Sequence, residues 1–396
     1  MKRILFASAT SALIAGTAAA QDSVPVGIIL GFTGPLESIT PMMASGAELA
    51  FTEASESGNL PGGATWNVVR GDSTCIDAAA ATTSAENLVT AENVVGIMGA
   101  DCSGVTTAIA NNVAIPNGVP MISPSATSPA LSTIEDDGYF FRVAPSDARQ
   151  GEIIANILNE RGIDSIAITY TNNDYGQGLA DAIESSFQDV GGSVAISAAH
   201  EDGKGDYSAE VAALQASGAP MLVVAGYVDQ GGVGIVQASL DTGAFEQFFF
   251  PDGMYGQSLI DSVGDEINGK VMGTLPGTEG EGADAFAALA EENGIDPTGT
   301  YVPESYDAAA LLSLAMAAAG GPDRDGIRDQ VMNVANAPGE QIFAGDLARG
   351  LEMAAAGEDI DYQGATSVEL IGPGEAAGSY RVYEIEDNAP VTIEYR

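Results

Sequence analysis

Short β-rich runs alternate with segments of helical periodicity along almost the whole chain. One series occupies residues 24–144, and a second occupies residues 147–251. Alternation of this kind is typical of parallel sheets with helices packed on both faces. The sequence therefore predicts an α/β fold. Because the pattern restarts and the chain is too long for one core, we predict two Rossmann-like lobes with parallel-rich sheets.

The last part of the chain differs from both series. A Gly/Glu-rich stretch at 277–284 predicts a loop or a boundary, long helical segments follow it, and two strand-like segments end the chain. These segments have to return to both lobes, which requires three hinge crossings and leaves a ligand cleft between the lobes. The predicted first lobe comprises residues 21–144 and 275–362, and the second comprises residues 145–274 and 363–396.

The N-terminus has the composition of a secretory leader. Lys2 and Arg3 precede an apolar stretch at 4–16, and the small residues at 18–20 suit signal peptidase. The apolar stretch is too short to span a bilayer, which takes about 20 residues. We predict a cleaved signal peptide at residues 1–20 and a soluble protein in the periplasm.

Acidic residues dominate the charge of the chain. It has 55 Asp and Glu against 13 Lys and Arg, which gives a formal net charge of −42. Such a surface repels nucleic acid and anionic membranes, so neither is an expected partner. No His/Cys/Asp cluster has the spacing of a metal site, and we predict neither a metal nor a cofactor.

The chain has two cysteines, Cys75 in VRGDSTCID and Cys102 in IMGADCSGVTTA. An oxidising periplasm permits a disulfide between them, whereas a low-pKa thiolate at the helix start after Cys102 would be a nucleophile. A nucleophile needs a base, and the single histidine, His200, lies in AAHEDGKGDYS, which predicts a solvated loop. There is no GxSxG elbow, and GYVDQGGVG lacks the spacing of a dinucleotide fingerprint. A thiol enzyme is the least favoured reading, and we expect a protein that is not an enzyme.

Polar and aromatic residues recur directly after the predicted strands, where open α/β sheets bind ligands. The first lobe offers hydroxyls and free amides, and the second offers aromatic rings and a carboxylate, a division that suits a zwitterion. Simpler structural roles are open to each: serine and threonine cap helices, tyrosines pack in cores, and aspartate before glycine starts a turn. The candidate ligand-binding residues are Ser103, Ser125, Thr127, Tyr175, Tyr227 and Asp252.

Six motifs occur in order between Val24 and about Asp387: GFTGPL, DSTC…ADCSG, MISPSATSP, NDYGQGLA, AGYVDQGG and FPDGM. On these motifs the chain resembles the periplasmic binding proteins of branched-chain amino-acid ABC transporters, the leucine/isoleucine/valine-binding type of the type I periplasmic binding fold. The resemblance implies a disulfide between Cys75 and Cys102. It also implies a receptor that closes its lobes over an amino acid and delivers it to an ABC permease in the inner membrane. We expect a monomer.

The resemblance assigns roles to the first-lobe candidates and to the DYG turn. The hydroxyl after the second cysteine, here Ser103, binds the ligand carboxylate in the family. The SPxAT segment adds a backbone amide at Ser125 and the hydroxyl of Thr127. The aromatic residue of the DYG turn, Tyr175, closes over the ligand.

Two further residues are expected at the ligand ammonium, namely Tyr227 and Asp252. A buried ammonium needs an anionic partner because an unpaired buried charge costs several kcal/mol, and a tyrosine ring adds about 0.5–2 kcal/mol of cation–π contact. The family often has glutamate where this chain has Asp252. The carboxylate is therefore one methylene shorter here.

The predicted side-chain pocket departs from the family as well. The loop after GFTGP reads LESITPMM, where branched-chain binders usually carry an aromatic residue that lines this pocket. We therefore predict a neutral amino acid, with the branched-chain class as the expectation. The alternative function is a sensory or regulatory binding protein for a small amide, a urea-like compound or an aromatic acid.

Overall fold

The computed structural model describes residues 22–396, and the signal peptide predicted at residues 1–20 lies outside this part of the chain. Within the described part, no helix is both long enough and apolar enough to cross a membrane.

The first series of strands and helices forms as predicted. Its elements are β1 (Ser23–Leu30), α1 (Thr40–Ser57), β2 (Thr65–Asp72), α2 (Ala78–Thr90), β3 (Ile97–Gly99), α3 (Ser103–Ile109), β4 (Met121–Ser123) and β5 (Phe140–Pro145). β1 is an apolar run that is buried along its C-terminal half, as a parallel strand covered on both faces must be. Asp77 caps α2, because its Oδ1 accepts hydrogen bonds from the amides of Ala79 and Ala80 at 3.0 Å.

The second series also follows the predicted alternation. Its elements are α4 (Asp147–Glu160), β6 (Ser165–Thr171), α5 (Asp174–Asp189), β7 (Ser193–His200), α6 (Ser208–Gln215), β8 (Leu222–Ala225), α7 (Gly231–Thr242), β9 (Phe248–Phe250), α8 (Gln257–Val263) and β10 (Val271–Pro276). The sequence did not predict α8, which is two turns long and follows the loop of Asp252.

The remaining elements return to the first lobe and then to the second. They are α9 (Glu281–Glu292), α10 (Val302–Ala319), α11 (Arg324–Ala335), β11 (Glu340–Phe343), α12 (Leu347–Ala356), β12 (Ile360–Gly364), β13 (Leu370–Ile371), β14 (Glu375–Ala376), β15 (Tyr380–Glu386) and β16 (Ala389–Tyr395). α10 is buried on nearly every side and packs against α1, α11 and α12. Gly46 permits the close approach of α1, since a Cβ there would lie 2.6 Å from the carbonyl oxygen of Val302.

Two seven-stranded sheets organise the lobes. The first has the order β13-β14-β5-β4-β3-β1-β2, and the second has the order β16-β15-β10-β9-β8-β6-β7. β1 to β5 are parallel in the first sheet, and β6 to β10 are parallel in the second. Within residues 22–396, the antiparallel pairs are β13–β14, β10–β15 and β15–β16, toward one end of each sheet. The predicted class, α/β with two parallel-rich lobes, is confirmed.

The chain crosses between the sheets three times, after β5, after β10 and after β14. The second and third crossings lie later than the sequence-based division places them. β10 stays in the second sheet through Pro276, and the short strands at 370–376 pair with β5 of the first sheet. We therefore propose a lobe division that follows the sheets, with crossings at 146, 277–280 and 377–379 in place of the boundaries at 144, 274 and 362.

The two cysteines join the carboxyl end of β2 to that of β3. Cys75 and Cys102 form a disulfide with a Cα–Cα distance of 5.2 Å, as the resemblance implies. Beside it, the buried carboxylate of Asp101 accepts hydrogen bonds from the amide of Gly31 at 3.1 Å and from the hydroxyl of Ser73 at 3.0 Å. The ends of three neighbouring strands are thereby held together directly below the cleft.

Candidate ligand-binding site

A small cavity lies between the lobes at the carboxyl ends of the parallel strands. The space open to the centre of a water molecule is about 20 Å³. Five of the six candidate residues line it, namely Ser103, Ser125, Tyr175, Tyr227 and Asp252. The lining residues are Leu36, Ile39, Met43, Asp101, Cys102, Ser103, Ser125, Tyr175, Tyr227, Asp252, Gly253, Thr300 and Tyr301. None of these residues is basic, so the cavity has an acidic character.

Ser103 is the first residue of α3 and is almost completely buried. Cys102 occupies the N-cap position and makes no side-chain cap, so Ser103 is not the helix cap that a serine at this place suggests. Its Oγ accepts a hydrogen bond from the amide of Ser128 at 3.1 Å. The hydroxyl hydrogen remains available to donate toward the cavity.

Of the two candidate residues in the SPxAT segment, one lines the cavity and the other does not. Ser125 lines the cavity, and its hydroxyl donates to the carbonyl of Asp101 at 3.0 Å. The amide of Ser125 is directed to Ser123 Oγ at 3.3 Å. Thr127 is buried but is not among the residues that line the cavity, and its Oγ1 has no hydrogen-bond partner. The side chain of Thr127 instead faces Asp147.

Two stacked tyrosines form the second-lobe wall. The rings of Tyr175 and Tyr227 lie 5.2 Å apart, with an interplanar angle of 16°. Asn173 orients both: its Oδ1 caps α5 by accepting from the amide of Gly176 at 3.0 Å, and its Nδ2 donates to Tyr227 Oη at 3.3 Å. Burial raises the pKa of both phenols well above the usual value, so each remains a neutral hydrogen-bonding group.

Asp252 lies in the short turn after β9 and is 3 % exposed. Its Oδ1 accepts from Tyr175 Oη at 3.1 Å, and its Oδ2 accepts from Tyr301 Oη at 2.8 Å. Burial raises the pKa of Asp252, while the hydrogen bonds from Tyr301 and Tyr175 act in the opposite direction. A positive charge beside this carboxylate would remove most of the cost of burying it.

The sequence did not identify Tyr301, which completes the setting of Asp252. Tyr301 directly precedes α10 and has a left-handed backbone with φ of 56°. Its placement depends on α9 and the turn at 296–300, and neither of them was predicted. The PTGTY segment carries no periodic signal that points to a ligand site.

A second buried carboxylate, Asp147, lies behind Asp252 at the first crossing. It is the first residue of α4, and neither carboxylate oxygen has a hydrogen-bond partner. Burial raises the pKa of Asp147 well above the usual value, and the charge of Asp252 raises it further, against the side chain of Thr127 and the charge of Arg142. That arginine is already paired with Glu375 at 2.5 Å. The side chains around Asp147 and Asp252 therefore supply little positive charge to either carboxylate.

The lobes are joined across the cleft by hydrogen bonds at its mouth. Asp229 of the second lobe accepts from the amide of Ser38 at 2.8 Å and donates its own amide to the carbonyl of Pro35 at 3.2 Å. The hydroxyl of Thr300 donates to the carbonyl of Tyr255 at 3.0 Å. These contacts describe a closed arrangement in which residues of both lobes surround the cavity.

One prediction about the single histidine is wrong. His200 is not a solvated loop residue: it ends β7, is 2 % exposed and makes a 2.9 Å hydrogen bond with Thr169 through Nδ1. Burial lowers its pKa to about 4, so the ring is neutral at pH 7. The strand continues to His200 because residues 193–200 pair with the whole of β6.

In the described residues one group of side chains has the spacing of a metal site, formed by Cys75, Asp101 and Cys102. Both sulfurs are bonded to each other. The carboxylate of Asp101 already accepts from Gly31 and Ser73. These atoms therefore serve the fold and offer no thiolate to a metal ion.

Comparisons with known proteins agree with the geometry. The family model described as "Periplasmic binding protein" matches residues 23–352. The leucine-, isoleucine-, valine-, threonine- and alanine-binding protein of Pseudomonas aeruginosa is 27% identical over 82% of this chain and 86% of its own length. The Leu/Ile/Val-binding protein homolog 1 of Brucella abortus is 30% identical over the same shares.

A solved structure shows the same fold. The leucine-binding protein of Thermotoga maritima superposes with a TM-score of 0.79 over 94% of this chain and 98% of that chain, at 21% identity. The predicted fold type, with two α/β lobes joined by three crossings, is thereby confirmed.

Proposed function

Because the chain belongs to the periplasmic binding protein family, we propose that it is the solute receptor of an ABC importer and binds a neutral amino acid between its lobes. The branched-chain class is the first expectation, since the relatives from Pseudomonas aeruginosa and Brucella abortus are both named for binding leucine, isoleucine and valine. Lobe closure over the amino acid presents the loaded receptor to a permease in the inner membrane.

One observation carries this proposal: Ser103 and Asp252 face the same cavity from opposite lobes. An α-amino acid has an anionic and a cationic group on one carbon, so it can contact both lobes at once. Ser103 provides a hydroxyl donor for the carboxylate. Asp252 provides a buried anion for the ammonium, which would otherwise lose several kcal/mol on leaving water.

The other candidate residues support the same two groups. Ser125 lies beside Ser103 on the carboxylate side, and Tyr175 and Tyr227 present their stacked rings to the ammonium side. Thr127 has a free Oγ1 and faces Asp147 rather than the cavity. Its proposed contact with the ligand carboxylate therefore requires a side-chain rotation.

The proposal extends to the setting of the protein. We assign it to the periplasm as a monomer, after removal of residues 1–20, and we assign it no catalytic step. The alternative ligands, small amides, urea-like compounds and aromatic acids, lack an ammonium. They would leave the buried carboxylate of Asp252 without a cationic partner, and we do not favour them.

Calorimetric titration of the mature protein tests this function. Leucine, isoleucine, valine, threonine and alanine are titrated beside 4-methylpentanoate, which is leucine without its ammonium. We expect binding of at least one of the amino acids, and a loss of about 100-fold in its affinity in Asp252→Asn. The affinity of 4-methylpentanoate should change little in this variant.

Asp261→Asn is the matched control, because it removes an exposed carboxylate of α8 that bonds only Gln257. An equal loss for leucine and for 4-methylpentanoate would remove Asp252 from the ammonium role. Binding of benzoate or of a simple amide, with no response to any amino acid, would replace the proposed function by the alternative.

A further inference from the structure

A larger apolar groove adjoins the ligand cavity at the mouth of the cleft. On the same measure its volume is about 180 Å³, against about 20 Å³ for the cavity. Both lobes contribute to it, Met42 from α1 of the first and Leu259 and Ile260 from α8 of the second. Tyr255 and Tyr383 also line it, with ring centroids 5.0 Å apart in an edge-to-face arrangement.

Two residues, Ile39 and Thr300, line both the cavity and the groove. Thr300 is fixed by its hydrogen bond to the carbonyl of Tyr255. Ile39 occupies the N-cap position of α1 without a side-chain cap and is 6 % exposed. An isoleucine side chain at this place therefore forms the partition between the two spaces. It stands in the loop where the resemblance leads one to expect an aromatic residue.

The direction of a ligand side chain follows from the polar contacts. If Ser103 and Asp252 hold the head group, the aliphatic part of the lining that remains for the side chain consists of Leu36, Ile39 and Met43. The cavity has little space beyond the head group. A side chain of several carbons therefore has to pass Ile39 and enter the groove.

The groove is suited to an uncharged side chain. Asp296 is the one acidic or basic residue of its lining, and its Oδ1 already accepts from the amide and hydroxyl of Thr298 at 2.9 and 2.8 Å. The guanidinium of Arg381 lies over the ring of Tyr255, 5.0 Å from its centroid. Arg381 is not among the residues that line the groove. An anionic ligand end would lose its hydration here without finding a cationic partner, and the carboxylate of Asp296 would repel it.

We propose that this groove is a side-chain subsite and that the ligand is a neutral α-amino acid whose apolar side chain is long enough to pass Ile39, of the size of norleucine or larger. The inference rests on the proposed function, because the head group fixes where the side chain begins. Ile39 is then the residue that sets the permitted side-chain length.

A homologous ligand series measures the subsite directly. Alanine, norvaline, norleucine and 2-aminooctanoate are titrated into the mature protein. Each methylene that enters an apolar site improves affinity about fourfold, so 2-aminooctanoate should bind about 60-fold more tightly than norvaline. If amino acids bind and affinity stops rising at norvaline, the subsite is refuted while the proposed function stands. If no amino acid binds, the proposed function fails and the subsite with it.

Two variants test the subsite, one at the partition shared by both spaces and one in the groove alone. Ile39→Trp should block the partition and lower the affinity ratio of 2-aminooctanoate to alanine at least tenfold. Met42→Glu places a carboxylate in the groove without touching the cavity and should lower the same ratio. Met332→Glu in α11 is the matched control, since Met332 is also partly buried but lies in neither space. Unchanged ratios in both groove variants, with folding verified by circular dichroism, would overturn the inference.

Discussion

The carboxyl group of Glu304 provides a test of the structure that needs no ligand. Glu304 lies in the first turn of α10 and is 3 % exposed. Burial raises its pKa to about 8 from 4.5, and the charge of Asp307 adds to the rise, while its own backbone amide and Arg381 oppose it. The folded protein therefore holds a proton on Glu304 at pH 7, whereas the unfolded chain does not.

The sign and size of the effect follow from this difference. A folded state that binds more protons than the unfolded state loses stability as pH rises. Between the unfolded pKa of 4.5 and the folded pKa of about 8, the loss reaches about 3 kcal/mol at pH 7 and is below about 1 kcal/mol at pH 5. Glu304→Gln keeps the shape of the protonated side chain and removes the titration. We expect this variant to be more stable than the wild type by about 3 kcal/mol at pH 7 and by little at pH 5.

Urea unfolding at pH 5, 6 and 7 measures the gain. The matched control is Glu281→Gln, which changes an exposed glutamate in the first turn of α9. The difference in unfolding free energy between this control and the wild type should be the same at all three pH values. A gain in Glu304→Gln that is equal at pH 5 and pH 7, or a loss at pH 7, would refute the assignment of a neutral buried carboxyl.

Three further results are expected. Replacing Cys75 and Cys102 by serine should lower the unfolding free energy by about 3–4 kcal/mol, as urea unfolding of the oxidised protein would show. Adding reductant to the wild type should lower its unfolding free energy by the same amount. If reductant leaves the stability of the wild type unchanged, the predicted contribution of the disulfide is contradicted. Asp229→Ala removes the bond to Ser38 and should weaken ligand binding about fivefold in calorimetry. It should do so for all ligands alike, so a selective change would place Asp229 in the site. Asp147→Asn should raise the thermal midpoint at pH 7 but not below pH 4, because the raised pKa of Asp147 makes its ionisation costly in the folded protein. A variant that is less stable at pH 7 would show that the negative charge is needed there.

The strand-end rule accounts for what the sequence predicted of the site. Ser103 and Asp252 follow β3 and β9 of different sheets, and the carboxyl ends of both sheets face one cleft, so their meeting required only the fold class. Thr127 follows the same rule and yet faces Asp147, although Ser125 of the same segment lines the cavity. Strand position therefore predicts the neighbourhood of a residue and leaves its side-chain direction open.

The residues that the sequence missed depend on tertiary packing rather than on pattern. Tyr301 reaches Asp252 from a turn between two helices, and no periodicity marks that turn. The strands at 370–371 and 375–376 have two residues each, too few to alternate, so the third crossing was placed too early. His200 was misjudged for a related reason: its burial comes from strand pairing with Thr171, which is distant in the chain, and from packing on Tyr207 beyond the loop that follows the strand.

The acidity of the cavity links ligand charge to lobe closure. Closing the lobes removes water from Asp252, and the hydroxyls of Tyr175 and Tyr301 that donate to its two oxygens are neutral. Asp147 behind it is a second buried carboxyl group, and its raised pKa opposes its ionisation beside Asp252. The ligand ammonium would then supply the positive charge that the closed state lacks, and closure would depend on the head group more than on the side chain. A change of residue at position 39 would alter which ligand side chain is accepted and would leave in place the charge that favours closure. The residue that forms the partition, Ile39, can therefore differ from its counterpart in related receptors.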